Sequence, residues 1–216
     1  MSGSRPNRTQ WAAVTAVVLA LLFAGGALTV ASAQRDEEPR TPVTESADAG
    51  FARDMSVHHQ QAVEMSFIVR DRTKDEEVRR LAYDIANTQA NQRGMMLGWL
   101  DLWQLPKVES GTEPMSWMGM GGHGDAGPLD GALMPGMATK TELDRLRKAE
   151  GREAEVLYLQ LMSDHHKGGV HMARGCVEKC SVDVERKLAQ GMVEAQESEL
   201  ALMADLLAAR GAKPRG

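Results

Sequence analysis

Apolar side chains recur every three or four positions through residues 50–70, with Met55, Ala62, Met65 and Val69 on one stripe, and this spacing predicts a helix. The pattern lapses at residues 71–74. Thr73 and Glu76 have capping-box spacing and predict a second helix from there to about Trp103, stopped by Pro106. Residues 104–138 lose the period and form a long Gly- and Met-rich connection, a length that in a compact domain is functional or mobile. Thr139 and Glu142 repeat the capping-box spacing and open a short helix to about Glu150. A helix over residues 151–175 follows, then a break around Cys180 and Ser181, then a last helix to about Arg210. The polar residues 34–48, with Pro39 and Pro42, read as a flexible linker.

The second half of this pattern repeats the first. A shift of 107 residues lays Met55, His58, His59, Val63 and Met65 on Met162, His165, His166, Val170 and Met172. The same shift lays Leu81, Ala82, Gln89, Met96 and Leu100 on Leu188, Ala189, Gln196, Met203 and Leu207. A helical hairpin has been duplicated. Two hairpins, residues 50–103 and 139–210, joined by the connection 104–138, predict an all-α four-helix bundle over residues 49–210. Composition agrees: 216 residues suit one packed domain plus an appendage, and with 4% aromatic residues and many Ala, Leu, Met, Glu and Arg the chain favours helix.

Ahead of this domain, residues 1–10 carry Arg5 and Arg8 and no acid, and residues 11–33 are uncharged and end in Ala31-Ser32-Ala33. This is an export signal, either cleaved as a signal peptide or retained as a membrane anchor, since its apolar run of about 20 residues is long enough to span. Either outcome places the remainder outside the cytoplasm, secreted or held at the outer face of the cell membrane. Arg5 and Arg8 are not adjacent, so a twin-arginine signal is not supported. Beyond residue 33 there are 23 Lys and Arg against 30 Asp and Glu, a formal charge of −7, which disfavours a nucleic-acid partner. Self-association is left open. Cys176 and Cys180, four residues apart in an oxidising compartment, read first as a local disulfide at a helix end. A soft-metal pair is the second reading, because that spacing across a regular helical turn strains a disulfide.

The chemistry lies in the repeated segments MSVHHQQAVEM and MSDHHKGGVHM, which hold four of the six histidines. With Met55 at zero on a helical wheel, His58 falls at about 300°, His59 at about 40°, Ala62 at about 340° and Met65 at about 280°. Both histidines border the apolar face, Ala62 and Gly169 leave room beside the imidazoles, and His171 points the other way, to solvent. The partner helices carry the stripes Ile85, Gln89, Gln92, Met96, Trp99 and Met192, Gln196, Glu199, Met203, Leu206. Buried amides and a buried carboxylate need partners. Adjacent histidines diverge by about 100°, so each seeks its own partner among Gln89, Gln92, Gln196 and Glu199, or across the duplicated pair.

Imidazole from His58, His59, His165 and His166, with thioether from Met55, Met65, Met162 and Met172 and Glu199 as the acid on these stripes, predicts a bound copper or silver ion. Zinc is disfavoured by the divergence of the adjacent histidines, and di-iron by the absence of any Glu-x-x-His pair. The connection adds Met115, Met118, Met120, His123, Met134 and Met137, read either as a flexible thioether donor set for Cu(I) or Ag(I) or as a hydrophobic loop over the end of the bundle. The opposing reading of the stripes is a structural hydrogen-bonded layer, with methionine as core filler.

Over about residues 46–210 the chain resembles the domain-of-unknown-function family numbered 305. The resemblance rests on the two Met-x-x-His-His-x-x-small-x-x-Met helices, the MPGMAT segment, and the Gln-x-x-Gln/Glu-x-x-x-Met helices. It implies a ferritin-like four-helix bundle, an extracytoplasmic place and, as for some members, copper binding linked to copper resistance. Met55, His58, His59 and Met65 match the first motif; Met162, His165, His166 and Met172 match the second. Gly168-Gly169 departs from it, standing where a better helix former is usual, and Cys176 and Cys180 are not general to the family. The expectation is an extracytoplasmic metal-binding protein, for copper or silver storage, buffering or resistance, rather than an enzyme: no nucleophile with base and orienter and no phosphate loop is present. The alternatives are a ferritin-like oxidoreductase using the bound metal and a structural or interaction domain without metal.

Overall fold

The structure is a computed structural model that describes residues 41–120 and 130–215. The expected export segment of residues 1–33, the linker up to residue 40 and His123 lie outside the described residues. Those described form five α-helices and no strand: α1 (Ala47–Arg72), α2 (Glu76–Leu102), α3 (Lys140–Lys148), α4 (Gly151–Lys179) and α5 (Asp183–Ala209), with a 3-10 turn at Ser116–Met118. The all-α class expected from the periodicity is what is observed. α1 packs on α2 and α4 on α5, as the two hairpins require, and α1 on α4 joins the hairpins. No helix among the described residues is long and apolar enough to cross a membrane.

Local chemistry explains most boundaries. α1 begins at Ala47 rather than near Gly50, because the Ser46 hydroxyl accepts from the Ala49 amide at 3.2 Å. Residues 47 and 48, expected in the linker, are therefore helical. The Thr139 and Glu142 box forms as expected, Glu142 N donating to Thr139 Oγ1 at 3.1 Å and Thr139 N to Glu142 Oε2 at 2.8 Å. The Thr73 and Glu76 box does not form. Asp75 is the N-cap of α2, its Oδ1 accepting from Val78 N at 3.0 Å. Thr73 instead ends α1, and its hydroxyl accepts from Asp75 N at 2.9 Å and donates to the buried Glu155 carboxylate at 2.5 Å. α4 continues past Gly175 to Lys179. That glycine marks a close approach, since a Cβ there would collide with the Met118 side chain.

The core divides into two apolar clusters. One holds Met65, Val78, Ile85, Leu146, Tyr158, Met162 and Met203. The other holds Phe51, Met55, Met96, Leu100, Met115, Met172 and Met192. His58 and His59 on α1, and His165 and His166 on α4, lie along their helices between these two sets of methionines and are fully buried.

Beyond the first cluster, a buried ionic group locks the turn between α1 and α2 to the second hairpin. Glu155 accepts from Thr73 Oγ1 and from Arg210 Nε at 2.7 Å, and Arg210 reaches Asp75 at 2.9 Å. Removing one member leaves a buried charge without its partner. Arg210→Ala is accordingly expected to lower the unfolding free energy by on the order of 3–5 kcal/mol. Urea unfolding monitored by circular dichroism checks this, and an unchanged midpoint would contradict the role given to the network.

Candidate metal centre

Each buried imidazole is held by one ring nitrogen. His59 Nε2 faces Gln92 Oε1 at 2.8 Å and His166 Nε2 faces the Glu199 carboxylate at 2.7 Å, partners that each hairpin supplies from its own second helix. His165 Nε2 reaches the His58 backbone carbonyl at 2.9 Å, across the two hairpins, and His58 Nε2 reaches the Pro135 carbonyl at 3.3 Å. All four partner atoms are acceptors. Each Nε2 is therefore the donor, and on His58, His59 and His165 Nδ1 is left with a bare lone pair. No Nδ1 of the four has a hydrogen-bond partner. The rings of His58 and His165 lie with centroids 3.7 Å apart.

Loss of hydration dominates their acid–base behaviour. Burial, followed by repulsion from His59, holds His58 down at about 3. Burial holds His59 at about 4, against the opposing hydrogen bond from Gln92. His165 is held well below the ordinary histidine range by burial and then by the neighbouring imidazoles. These three rings are neutral at physiological pH, the form that ligates metal.

The glycines of the second motif explain how a backbone carbonyl reaches this layer. A Cβ at Gly168 would overlap the Pro135 carbonyl, so glycine is what lets the MPGMAT segment lie on α4 and present that oxygen to His58. Gly136, with φ +78°, meets the Asp164 carbonyl in the same way. Gln61 fixes the segment to α1: its amide donates to Ala138 O at 2.9 Å and accepts from Ala138 N at 2.7 Å. The room at Gly169 is filled by the Gln196 amide rather than by an imidazole. Gln89 and Gln196, expected as imidazole partners, are buried but bond no histidine. Both polar atoms of Gln89, and Oε1 of Gln196, lack partners.

The methionines separate into groups. Met55, Met65, Met162 and Met172 are all fully buried, Met55 with Met172 in one apolar cluster and Met65 with Met162 in the other. Met115 joins Met55 and Met172 in the core, and Met118 lies against Gly175. Met120 is 47% exposed, its sulfur 3.3 Å from Nε2 of the exposed His171. The connection's methionines are thus not one flexible donor set. Met115, Trp117 and Met118 instead cover the end of the bundle, where Asp54 accepts from Met115 N at 2.7 Å and Trp117 Nε1 at 2.9 Å.

Cys176 and Cys180 form a disulfide, their Cα atoms 4.8 Å apart. Cys180 has already left the helix, with φ −68° and ψ 144°, which relieves the strain expected of four-residue spacing within a regular turn. Among the described residues, one set of three or more His, Cys, Asp or Glu brings its ligand atoms within 4.8 Å of one another, and it is Cys176, Cys180 and Glu185. The imidazole layer is therefore not a closed nitrogen and oxygen cage of the kind structural zinc takes.

An α-helical bundle with a doubled His-His layer between methionine clusters defines the class. The family described as a domain of unknown function, DUF305, matches residues 48–207, and the chain belongs to it. A crystal structure of a DUF305 protein from Streptomyces coelicolor, provisionally described as secreted, is 69% identical; the match covers 81% of this chain and 99% of that one, with a TM-score of 0.74. A DUF305 fragment from Deinococcus radiodurans is 27% identical, covering 79% and 99%, with a TM-score of 0.61. CopM in its Cu(I)-bound form shares the fold at 20% identity and a TM-score of 0.58, covering 74% and 95%. CopM has also been solved with Cu(II) and with silver. No curated protein matches the chain.

Two outcomes follow from the layer. His58, His59 and His165 are neutral when folded but take a proton near 6.5 when unfolded, so stability is fully present above about 6.5 and is lost as pH falls toward 4 and 3. Unfolding free energy is expected to fall by on the order of 1 kcal/mol per pH unit for each of the three below 6.5. Denaturation series at stepped pH measure it, and a flat profile from 7 to 5 would refute the buried neutral state. Gly168→Ala is expected to displace Pro135 from His58, shifting the His58 ring resonances and costing about 1–3 kcal/mol of stability. Wild-type ring shifts would show that the carbonyl does not depend on this glycine.

Proposed function

We propose that this chain is an extracytoplasmic binding protein for a soft metal ion, copper or silver, serving storage, buffering or resistance. The carrying observation is the set of four buried Nδ1 atoms without partners. Each sits on an imidazole whose other nitrogen donates to a carbonyl, an amide oxygen or a carboxylate, the support that metal-ligating histidines receive. His58, His59, His165 and His166 would hold the ion with thioether from Met55, Met65, Met162 and Met172, and Glu199 acts through His166. Nitrogen with sulfur in a water-free interior suits Cu(I) and Ag(I). The reading is supported by the copper- and silver-bound forms of CopM, whose fold this chain shares. The arrangement is read as a ferritin-like four-helix bundle grown from a duplicated hairpin, and its role as binding rather than catalysis. The provisional description of the Streptomyces relative as secreted supports the extracytoplasmic place.

A purely structural hydrogen-bonded layer is the competing reading, favoured by the fact that every Nε2 is already bonded. Titration of the full-length protein with Cu(I), Ag(I), Cu(II) and Zn(II) separates the two. Wild type is expected to prefer Cu(I) and Ag(I) over Zn(II). H58Q/H59Q/H165Q/H166Q, confirmed helical by circular dichroism, is expected to bind Cu(I) at least roughly 100-fold more weakly. Equal uptake by both proteins would end the assignment.

A further inference from the structure

Away from the imidazole layer, a second buried polar group lies among the described residues at the junction of α4 and α5. Glu185 lies in the first turn of α5 and is fully buried, and its carboxylate oxygens accept from no N–H or hydroxyl donor; its polar neighbour is the Asp48 carboxylate. An acid three residues beyond the N-cap ordinarily closes a capping box. Here the N-cap is Val182, which has no hydroxyl to reciprocate, and the free amides are already taken by Asp48 from α1. Asp48 Oδ1 accepts from Ser181 N and Val182 N, both at 2.8 Å, and Oδ2 accepts from Ser181 Oγ at 3.0 Å. Glu185 is left facing the sulfurs: its carboxylate and those of Cys176 and Cys180 offer three ligand atoms, all within 4.8 Å of one another and all on buried residues. Burial, and then the Asp48 charge, push Glu185 up to about 9, so it is a protonated acid beside the disulfide at neutral pH. Protonated, it donates to the Asp48 carboxylate, and the adjacent disulfide offers it little.

We propose that Cys176, Cys180 and Glu185 form a redox-gated zinc site, closed while the disulfide stands and opened by its reduction. A small dithiol reductant breaks the Sγ–Sγ bond, passing two electrons and two protons to the sulfurs and becoming a disulfide itself. Zinc then displaces the two thiol protons and the Glu185 proton, so that uptake releases three protons at neutral pH. Two thiolates with one carboxylate oxygen are donors that zinc accepts and that calcium and magnesium do not favour. The reductant's approach is from the turn, because Cys180 is the first residue past the end of α4 and is followed by the exposed Ser181.

The test compares zinc uptake by full-length protein with the disulfide intact and after reduction by a phosphine. Reduced protein is expected to take up one more equivalent of Zn(II) than oxidised protein, and that zinc is expected to protect Cys176 and Cys180 from alkylation. Glu185→Gln, with helix content unchanged, is expected to weaken the additional binding by at least roughly tenfold and to leave oxidised-state uptake as it was. Equal uptake in the two redox states, or alkylation at the metal-free rate, would overturn the site, and wild-type affinity in E185Q would remove the carboxylate from it. The imidazole layer is present in both redox states, so failure of the copper reading would leave this difference intact.

Discussion

An imidazole placed where water cannot reach is held neutral, and a neutral imidazole has one proton to give and one lone pair to satisfy. Four buried rings at the centre of a helical bundle, each with an Nε2–H to place, require four acceptors at fixed places, and much of the architecture is the means of supplying them. α2 brings Gln92 to His59, and α5 brings Glu199 to His166. α1 lends the second lone pair of its own His58 carbonyl to His165, which makes the contact between the two hairpins chemical as well as steric. The connection supplies the Pro135 carbonyl. The four Nδ1 atoms are left without partners, and a methionine-bearing apolar cluster flanks the layer on each side.

The duplicated halves are not used alike. Gln61 and Gly168 occupy equivalent positions in the repeat, yet one clasps the Ala138 backbone with its amide and the other gives up its side chain so that Pro135 can approach. A single connection cannot obey the two-fold relation of the hairpins it joins, so equivalent sites on α1 and α4 must treat it differently. The glycine pair, poor for helix propensity, is accounted for by these close approaches.

Helices, hairpin order and the buried histidines were legible in the sequence because each rests on a period that the chain itself displays. Thr73 was misread as an N-cap because its hydroxyl is claimed by Glu155, 82 residues away, and local spacing carries no trace of that contact. Met115 and Met120 belong to the same aperiodic Gly-rich segment, so nothing local distinguished the core residue from the surface one. Asp48 was placed in a polar linker, although it reaches 133 residues along the chain to cap α5. Glu185 fell outside the stripes considered. Pro135 had one available signal: two adjacent glycines inside a helix imply a backbone lying against it.

The two halves have also parted company in charge. At the equivalent place beside His59 and His166, one hairpin has an amide, Gln92, and the other a carboxylate, Glu199. An amide carries no charge at any pH, whereas a carboxyl group can, so the two ends of the layer are not electrically equivalent. The drift of one glutamine away from its twin thus breaks the two-fold relation of the layer in its electrostatics as well as in its shape.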